Sequence, residues 1–412
     1  MINLPSTETL VPREVCLGGG RVLKVFDSAI DLVKLDFLYE AGSIYQPQLL
    51  CAAAANKLMT EATADMSSAE LSEFMDFRGI ILEPNNTLTS SLLTVYMLRR
   101  HAGEVLPVVA DILKRPAFVE DDFRLWQAKR RQELVTAEQR TRDMARRLFY
   151  KELFGTRHPL GWYAEVDDVD SLNLDIVKDY FHCRYDCGPC GIVAAGKVDE
   201  ELTGLIDRYF DIMSNPEFRT VDVTQVKRGG RYEMRIDGAI QTSIRIGRLL
   251  PLQWYDADYA RLMLLITALG GYFGSRLMTN LRENKGYTYG IYARTQIYRG
   301  AIVFYITADV AAGTADKAVE EVFGELNRLC NVQMENEELQ LVKTVLVGDY
   351  LRSVDGVFEL SSRYCDMLGT GVDERITDNL RAAINETTAV QLQELAQRLL
   401  KVEDMTVCLA GI

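Results

Sequence analysis

The chain has 412 residues, 48% hydrophobic and 25% charged, a globular balance in a chain long enough for two or more domains. Its net charge of −13 runs against the clustered Lys and Arg of a phosphate-binding footprint, so nucleic acid is not an expected partner. Eight cysteines in this length do not make a disulfide scaffold, and three histidines, His101, His158 and His182, all but exclude a mechanism that needs two of them clustered in this chain.

The N-terminal stretch "MINLPSTETLVPREVCLGGG" has neither a basic n-region nor an apolar h-region, so no signal peptide is expected and a cytoplasmic location is the default. The alternating run "DLVKLDFLYEAGS" predicts a strand, and "QLLCAAAANKLMTEA" a helix after it. "VEDDFRLWQAKRRQELVTAEQRTRDMARRLFYKELFG" predicts a long helical pair. A helix, a turn and a strand ending in Ala-Gly follow in "LDIVKDYFHCRYDCGPCGIVAAG".

The same series then repeats. "QTSIRIGRLLPLQ" is an alternating strand, "YDADYARLMLLITALG" a helix, and "MENEELQLVKTVLVGDYLRSVDGVFELSSRYCDMLGTG" a second long helical pair. "TAVQLQELAQRLLKVEDMTVCLAG" is a second helix-turn-strand ending in Ala-Gly. The longest apolar run, "ARLMLLITALGGYFG", is too short to span a bilayer, so no membrane partner is expected. The fold class expected is α+β, with two homologous domains, each an antiparallel sheet packed against helices. The polar stretch around Pro216 and Gly229–Gly230 reads as the linker, with the boundary near residues 212–235. Residues 1–215 form the first domain and 230–412 the second.

Two stretches compete for a site. Cys183, Cys187 and Cys190 have a C-x3-C-x2-C spacing beside His182, which fits an iron–sulfur or zinc site. Aligning the repeat ends, Gly196 with Gly411, sets these cysteines opposite Arg398, Val402 and Met405, so the equivalent segment serves as plain scaffold. Cys183 shares a helical face with Ile176 and Tyr180 and is expected in the core. In the second half, "GGYFGS" leads into the helix "SRLMTNLREN", which stops at Gly286, and the strand "YTYGIYARTQIY" follows. The turn lacks the Lys-Ser/Thr of a phosphate loop.

This second stretch resembles the insulinase and mitochondrial processing peptidase family of inverted-motif zinc metallopeptidases, whose second domain carries Leu-Arg-Glu, two residues and Gly, then an aromatic strand. Here these are Leu281-Arg282-Glu283, Gly286 and Tyr289. "FLYEAGS", "SSAELSEFMDFRGI", "VVADILKRPAF" and "HPLGW" extend the resemblance over the whole chain. It implies two homologous domains of about 200 residues each.

The family's zinc chemistry needs H-x-x-E-H on the first long helix. By the resemblance that motif falls on residues 53–57 or 56–60, where no histidine stands. Glu61 is the only acid near, and Glu133 is a counterpart of the third ligand without the other two. The chain alone is therefore expected to lack zinc and peptidase activity, with no metal or other cofactor of its own.

The resemblance implies that Arg282 and Tyr289 bind the substrate carbonyl and stabilise the oxyanion. Tyr289 is expected on the same strand face as Tyr287 and Ile291. It also implies a partner, since bacterial members often divide the labour between two chains. The expectation is a non-zinc subunit that pairs with a homologous zinc-motif chain, or with itself in isolation, around an unfolded peptide. Two alternatives stand beside it: an inert structural or peptide-binding relative, and a cysteine-cluster protein.

Overall fold

The computed structural model describes residues 4, 11–212, 217–223 and 229–411. Two sheets organise it. The first has strands β1 (Arg13–Cys16), β2 (Val22–Asp27), β3 (Leu32–Tyr39), β4 (Ile81–Asn86), β5 (Ser91–Leu98) and β6 (Gly191–Gly196), in the order β1-β2-β6-β3-β5-β4. The second has β7 (Gly230–Met234), β8 (Gln241–Leu250), β9 (Thr288–Tyr298), β10 (Ala301–Ala311) and β11 (Thr406–Ala410), in the order β7-β11-β8-β10-β9. Apart from β1, the two orders correspond strand for strand.

Two expectations are corrected here. The sheets are mixed, not wholly antiparallel, because β2 runs parallel to β6 and β7 parallel to β11. Gly230–Met234, in the stretch read as linker, forms β7; it completes the second sheet by pairing residue for residue with Thr406–Ala410. Pro216 lies outside the described residues.

The Ala-Gly endings have a physical reason. At Gly196, φ is +106°, and a Cβ would stand 1.9 Å from the Leu32 carbonyl oxygen. At Gly411, φ is +117°, and a Cβ would stand 2.3 Å from the Gln241 carbonyl oxygen. In both halves the last strand leaves the sheet through a left-handed residue pressed on the backbone of its neighbour, which only glycine tolerates.

The helices of the first half are α1 (Cys51–Leu58), α2 (Ser68–Arg78), α3 (Ala102–Lys114), α4 (Glu120–Glu138), α5 (Thr141–Phe154), α6 (Val166–Ser171), α7 (Leu174–Tyr185) and α8 (Glu200–Tyr209). Those of the second are α9 (Ala257–Ile266), α10 (Ala315–Asn331), α11 (Asn336–Arg352), α12 (Val357–Thr370), α13 (Arg375–Glu386) and α14 (Ala389–Leu399). Each sheet buries one face in a large apolar core, around Leu35, Phe37 and Val95 in the first and Ile246, Phe304 and Ile306 in the second. Among the described residues, no helix is long and apolar enough to cross a membrane.

The other faces are covered by exchange. Helix α5, from the first half, packs on β8 and β11 of the second sheet, and α12, from the second, packs on β6, β2 and β3 of the first. Under α12 the first sheet carries a fully buried ion pair, Lys34 Nζ to Asp36 Oδ2 at 2.7 Å. Asp36 also accepts from Thr94 and from Ser361 of α12, while Lys34 donates to Ser362 at 2.9 Å. Under α5 the second sheet holds Asp309, which accepts from Ser243 at 2.6 Å and from Arg142 of α5. Each exchanged helix is thus held over its sheet by polar bonds as well as apolar contact. The bonds under α12 are worth most because water is excluded from them, whereas Arg142 over the second sheet is largely exposed.

Candidate functional site

Helix α1 stands where the resemblance puts the metal-binding helix. Its run of small residues lets it pack closely: Cys51, Ala52, Ala54 and Ala55 are fully buried, and Asn56 and Leu58 nearly so. Past its end, Glu61 pairs with Lys57 at 2.5 Å. Glu133, on α4, is half exposed and pairs with Arg130 at 3.1 Å. The helix offers no imidazole, and the two carboxylates are engaged with cations on separate elements. This donor set does not fit a zinc ion, which needs three converging N, S or O ligands in a catalytic site.

The histidines are scattered. His158 bonds the Asp222 carbonyl at 2.7 Å and stacks on Phe154, and His182 bonds Asp186 at 3.1 Å. Among the described residues, no group of three or more His, Cys, Asp or Glu side chains is placed to hold a metal.

The cysteine stretch is the end of α7, a turn and the start of β6. Cys183 is exposed, against the expectation of a core position. The face that α7 buries is Val177, Tyr180 and Phe181, about one position round from the face containing Ile176 and Cys183; the bulky ring at Phe181 takes the inward position. Cys187 is exposed as well. Cys190 points the other way: it donates to the Leu38 carbonyl at 3.1 Å, and burial pushes its thiol up to about 12. Such a thiol is a poor metal ligand and nucleophile, because both roles need the thiolate.

Arg282 and Tyr289 lie on consecutive elements, a wide-turn π-helix, Met278–Asn284, and β9. The helix closes with Lys285 N–H donating to Asn280 O at 3.0 Å and Tyr287 N–H to Leu281 O at 2.9 Å, across Gly286 at φ +65°. Leu281 and Met278 are buried, and the Ile291 N–H contacts Met278 Sδ at 3.4 Å, which ties helix to strand. Upstream, Gly270 allows the tight approach, since a Cβ there would stand 2.6 Å from the Ala293 nitrogen. Arg282, half-buried, places its guanidinium 4.2 Å from the centre of the Phe273 ring. Among the described residues it pairs with no carboxylate.

Tyr289 does not share a face with Tyr287 and Ile291. Ile291 is fully buried and Tyr287 packs against the core, whereas Tyr289 is 92% exposed. A β-bulge is the cause. Ala308 pairs with Ile291, but Val310 pairs with Thr288, so Tyr289 and Gly290 of β9 stand against the single Asp309 of β10. The extra residue breaks the strand alternation and turns the tyrosine outward. The bulge is pinned by Thr288 Oγ1, which lies 2.7 Å from the Asp309 carbonyl and accepts from the Gly290 N–H at 3.1 Å. Because β9 is an edge strand, Tyr289 stands at an open border of the sheet. The sequence signal that would have revealed the bulge is the Thr288–Gly290 pair within an otherwise alternating strand.

Residues 171–346 match a family model described as the Peptidase M16 inactive domain. The chain is 23% identical over 405 residues to the uncharacterized zinc protease YmxG of Bacillus subtilis, covering 94% of each chain. It is 20% identical over 360 residues to the non-peptidase homolog YmxG of Helicobacter pylori, covering 85% of this chain and 82% of that one. In fold it is similar to a peptidase M16 inactive domain from Pseudomonas fluorescens, with TM-score 0.84 at 19% identity over 97% of this chain and 98% of that one. It is similar also to a chain of Complex III2 from Candida albicans, with TM-score 0.75 at 13% identity over 97% and 95%. The duplicated sheets, the Arg-and-Tyr stretch and these likenesses agree: the chain is similar along its length to members of the M16 peptidase family, and its middle part matches that family's inactive domain.

Proposed function

We propose that this chain is the non-zinc subunit of a two-chain zinc-dependent peptidase that acts on unfolded peptides. In this reading residues 1–215 and 230–412 are its two homologous domains. The zinc, its water and the general base belong to a homologous partner subunit. Arg282 and Tyr289 of this chain bind the substrate carbonyl and the oxyanion that develops on it.

The observation that carries the reading is Tyr289. A tyrosine 92% exposed on a pinned bulge contributes little to packing, so its position is best accounted for by what it meets in solution. Arg282, on the π-helix just before β9, pairs with no carboxylate among the described residues. A guanidinium and a phenol both donate to an oxygen that gains negative charge, which is the requirement of acyl transfer. An unfolded peptide is held by strand addition to a sheet edge, and β9 is one such edge. The test combines this chain with a co-encoded chain carrying H-x-x-E-H and measures cleavage of unfolded peptides. Cleavage by the pair that is undiminished by Arg282→Ala and Tyr289→Phe overturns the reading.

A second reading is an inert structural or peptide-binding member, favoured by the likeness to the non-peptidase homolog of Helicobacter pylori. Inactivity in combination with every co-encoded zinc-motif relative would support it.

A further inference from the structure

Between α5 and the open face of the second sheet lies a cavity of 510 Å³. Arg245 of β8 lines it and is only 8% exposed. Its guanidinium is stacked 4.0 Å from the centre of the Tyr305 ring and 5.5 Å from those of Phe149 and Tyr150. Among the described residues, no carboxylate pairs with it, and its Nε has no hydrogen-bond partner. The other arginines of the cavity are all paired: Arg142 with Asp309, Arg146 with Asp143 and Arg147 with Glu165. Arg245 is thus a buried cation with no paired carboxylate among the described residues, a costly arrangement unless an anion enters from outside.

The cavity also reaches the site described above. Gly290 and Tyr292 line it, and Gly290 is the bulge residue next to Tyr289. Its walls are aromatic, with Trp162, Tyr298 and Tyr305 among them. A guanidinium floor suits a carboxylate, which it engages with two parallel N–H donors, and aromatic walls suit the carbon skeleton that bears it.

We infer that this cavity takes a carboxylate of the bound peptide, with Arg245 as its counter-ion. The inference deepens the peptide-binding reading and rests on it. The carboxylate comes from an Asp or Glu side chain or from the peptide C-terminus, and the chemistry of recognition is the same for both. The chain would therefore select acidic or C-terminal segments among unfolded peptides.

The test is binding to the full chain without any partner, read by anisotropy of a short fluorescein-labelled peptide ending in Glu. Its Glu→Gln, C-terminal amide and doubly neutral forms are compared. The doubly neutral form is expected to bind about ten- to a hundredfold more weakly, the loss of one charge-assisted bond. The single changes identify the source. Arg245→Met is expected to abolish the difference, Arg245→Lys to restore part of it, and Tyr292→Ala, at the half-exposed mouth, to weaken binding of the parent peptide in a chain that keeps its buried contacts. Parent and doubly neutral peptides bound alike overturn the inference and leave the peptide-binding reading standing, as does unchanged discrimination in folded Arg245→Met. N-acetylglutamate serves as a second probe. If no peptide binds but N-acetylglutamate raises the melting temperature of wild type and not of Arg245→Met, the carboxylate site stands and the peptide reading falls. If neither binds, both fall.

Discussion

Tyr289→Phe removes one oxygen from the most exposed large hydrophobic residue of the second sheet. The hydroxyl has no hydrogen-bond partner among the described residues, and the ring is 92% exposed, so the fold loses almost nothing: a change within about 0.5 kcal/mol, as for other surface substitutions. Loss of one donor to an oxyanion costs about 10²–10³ in kcat. In the proposed reading Arg282 remains as a second donor, so the lower end, about 10², is expected here. The interaction forms only as charge develops, so KM should change little while kcat and kcat/KM fall together. Arg282→Ala should lower kcat as well and also release the cation–π contact with Phe273, worth about 0.5–1 kcal/mol at an exposed site. The assay is steady-state cleavage of an unfolded peptide by this chain saturated with the proposed zinc-motif partner, alongside thermal melts of each variant. An unaltered kcat for Tyr289→Phe refutes the reasoning. So does a loss of rate that tracks a lowered melting temperature, because an exposed, unbonded hydroxyl has no route to stability.

Three further outcomes follow from the structure. Lys34→Met leaves Asp36 fully buried without its cation and should cost about 3–5 kcal/mol in urea denaturation, while the double variant Lys34→Met/Asp36→Leu should recover much of it; a single-variant cost below about 1 kcal/mol would contradict the buried pair. With a chromogenic disulfide in native buffer, three thiols should react fast, Cys16, Cys183 and Cys187, while Cys190, pushed up to about 12 by burial, waits for unfolding; fast reaction of Cys190 would contradict its bond to Leu38. Asp199 caps α8 through the Leu202 N–H at 2.9 Å, and its bonds to Arg99 hold its carboxyl below the usual range. A depressed carboxyl stabilises the fold above its unfolded pKa, about 3.9, and loses that contribution as pH falls through the folded value. The gap between wild type and Asp199→Ala should thus be about 1–2 kcal/mol near neutrality and shrink below about pH 4. A gap that widens on acidification would reverse the sign of the argument.

Much of the architecture is legible locally. Alternating and helical periodicities mark the strands and long helices, and the two Ala-Gly endings mark the repeat, because each needs a left-handed glycine against a neighbouring strand. The mixed sheets were not legible: β7 is a short half-exposed strand in a polar stretch, and only its parallel pairing with β11 makes it one. The exposure of Cys183 is not legible for a related reason. A helical face defined by spacing carries no phase, and the larger Phe181 ring decides which side turns inward.

What the sequence by itself determined is a matter of covalent inventory and short-range pattern. The chain is duplicated, its first helix has no imidazole, and an arginine and a tyrosine follow one another on a helix and a strand. What only the tertiary structure decided concerns which groups meet. The bulge exists because β9 has one residue too many for β10, and it alone turns Tyr289 to solvent. The exchange of α5 and α12 brings residues from opposite halves of the chain together, and α5 helps enclose Arg245 in a cavity where, among the described residues, no carboxylate pairs with it. Register and burial are properties of pairs of segments distant in sequence, and no local pattern encodes them.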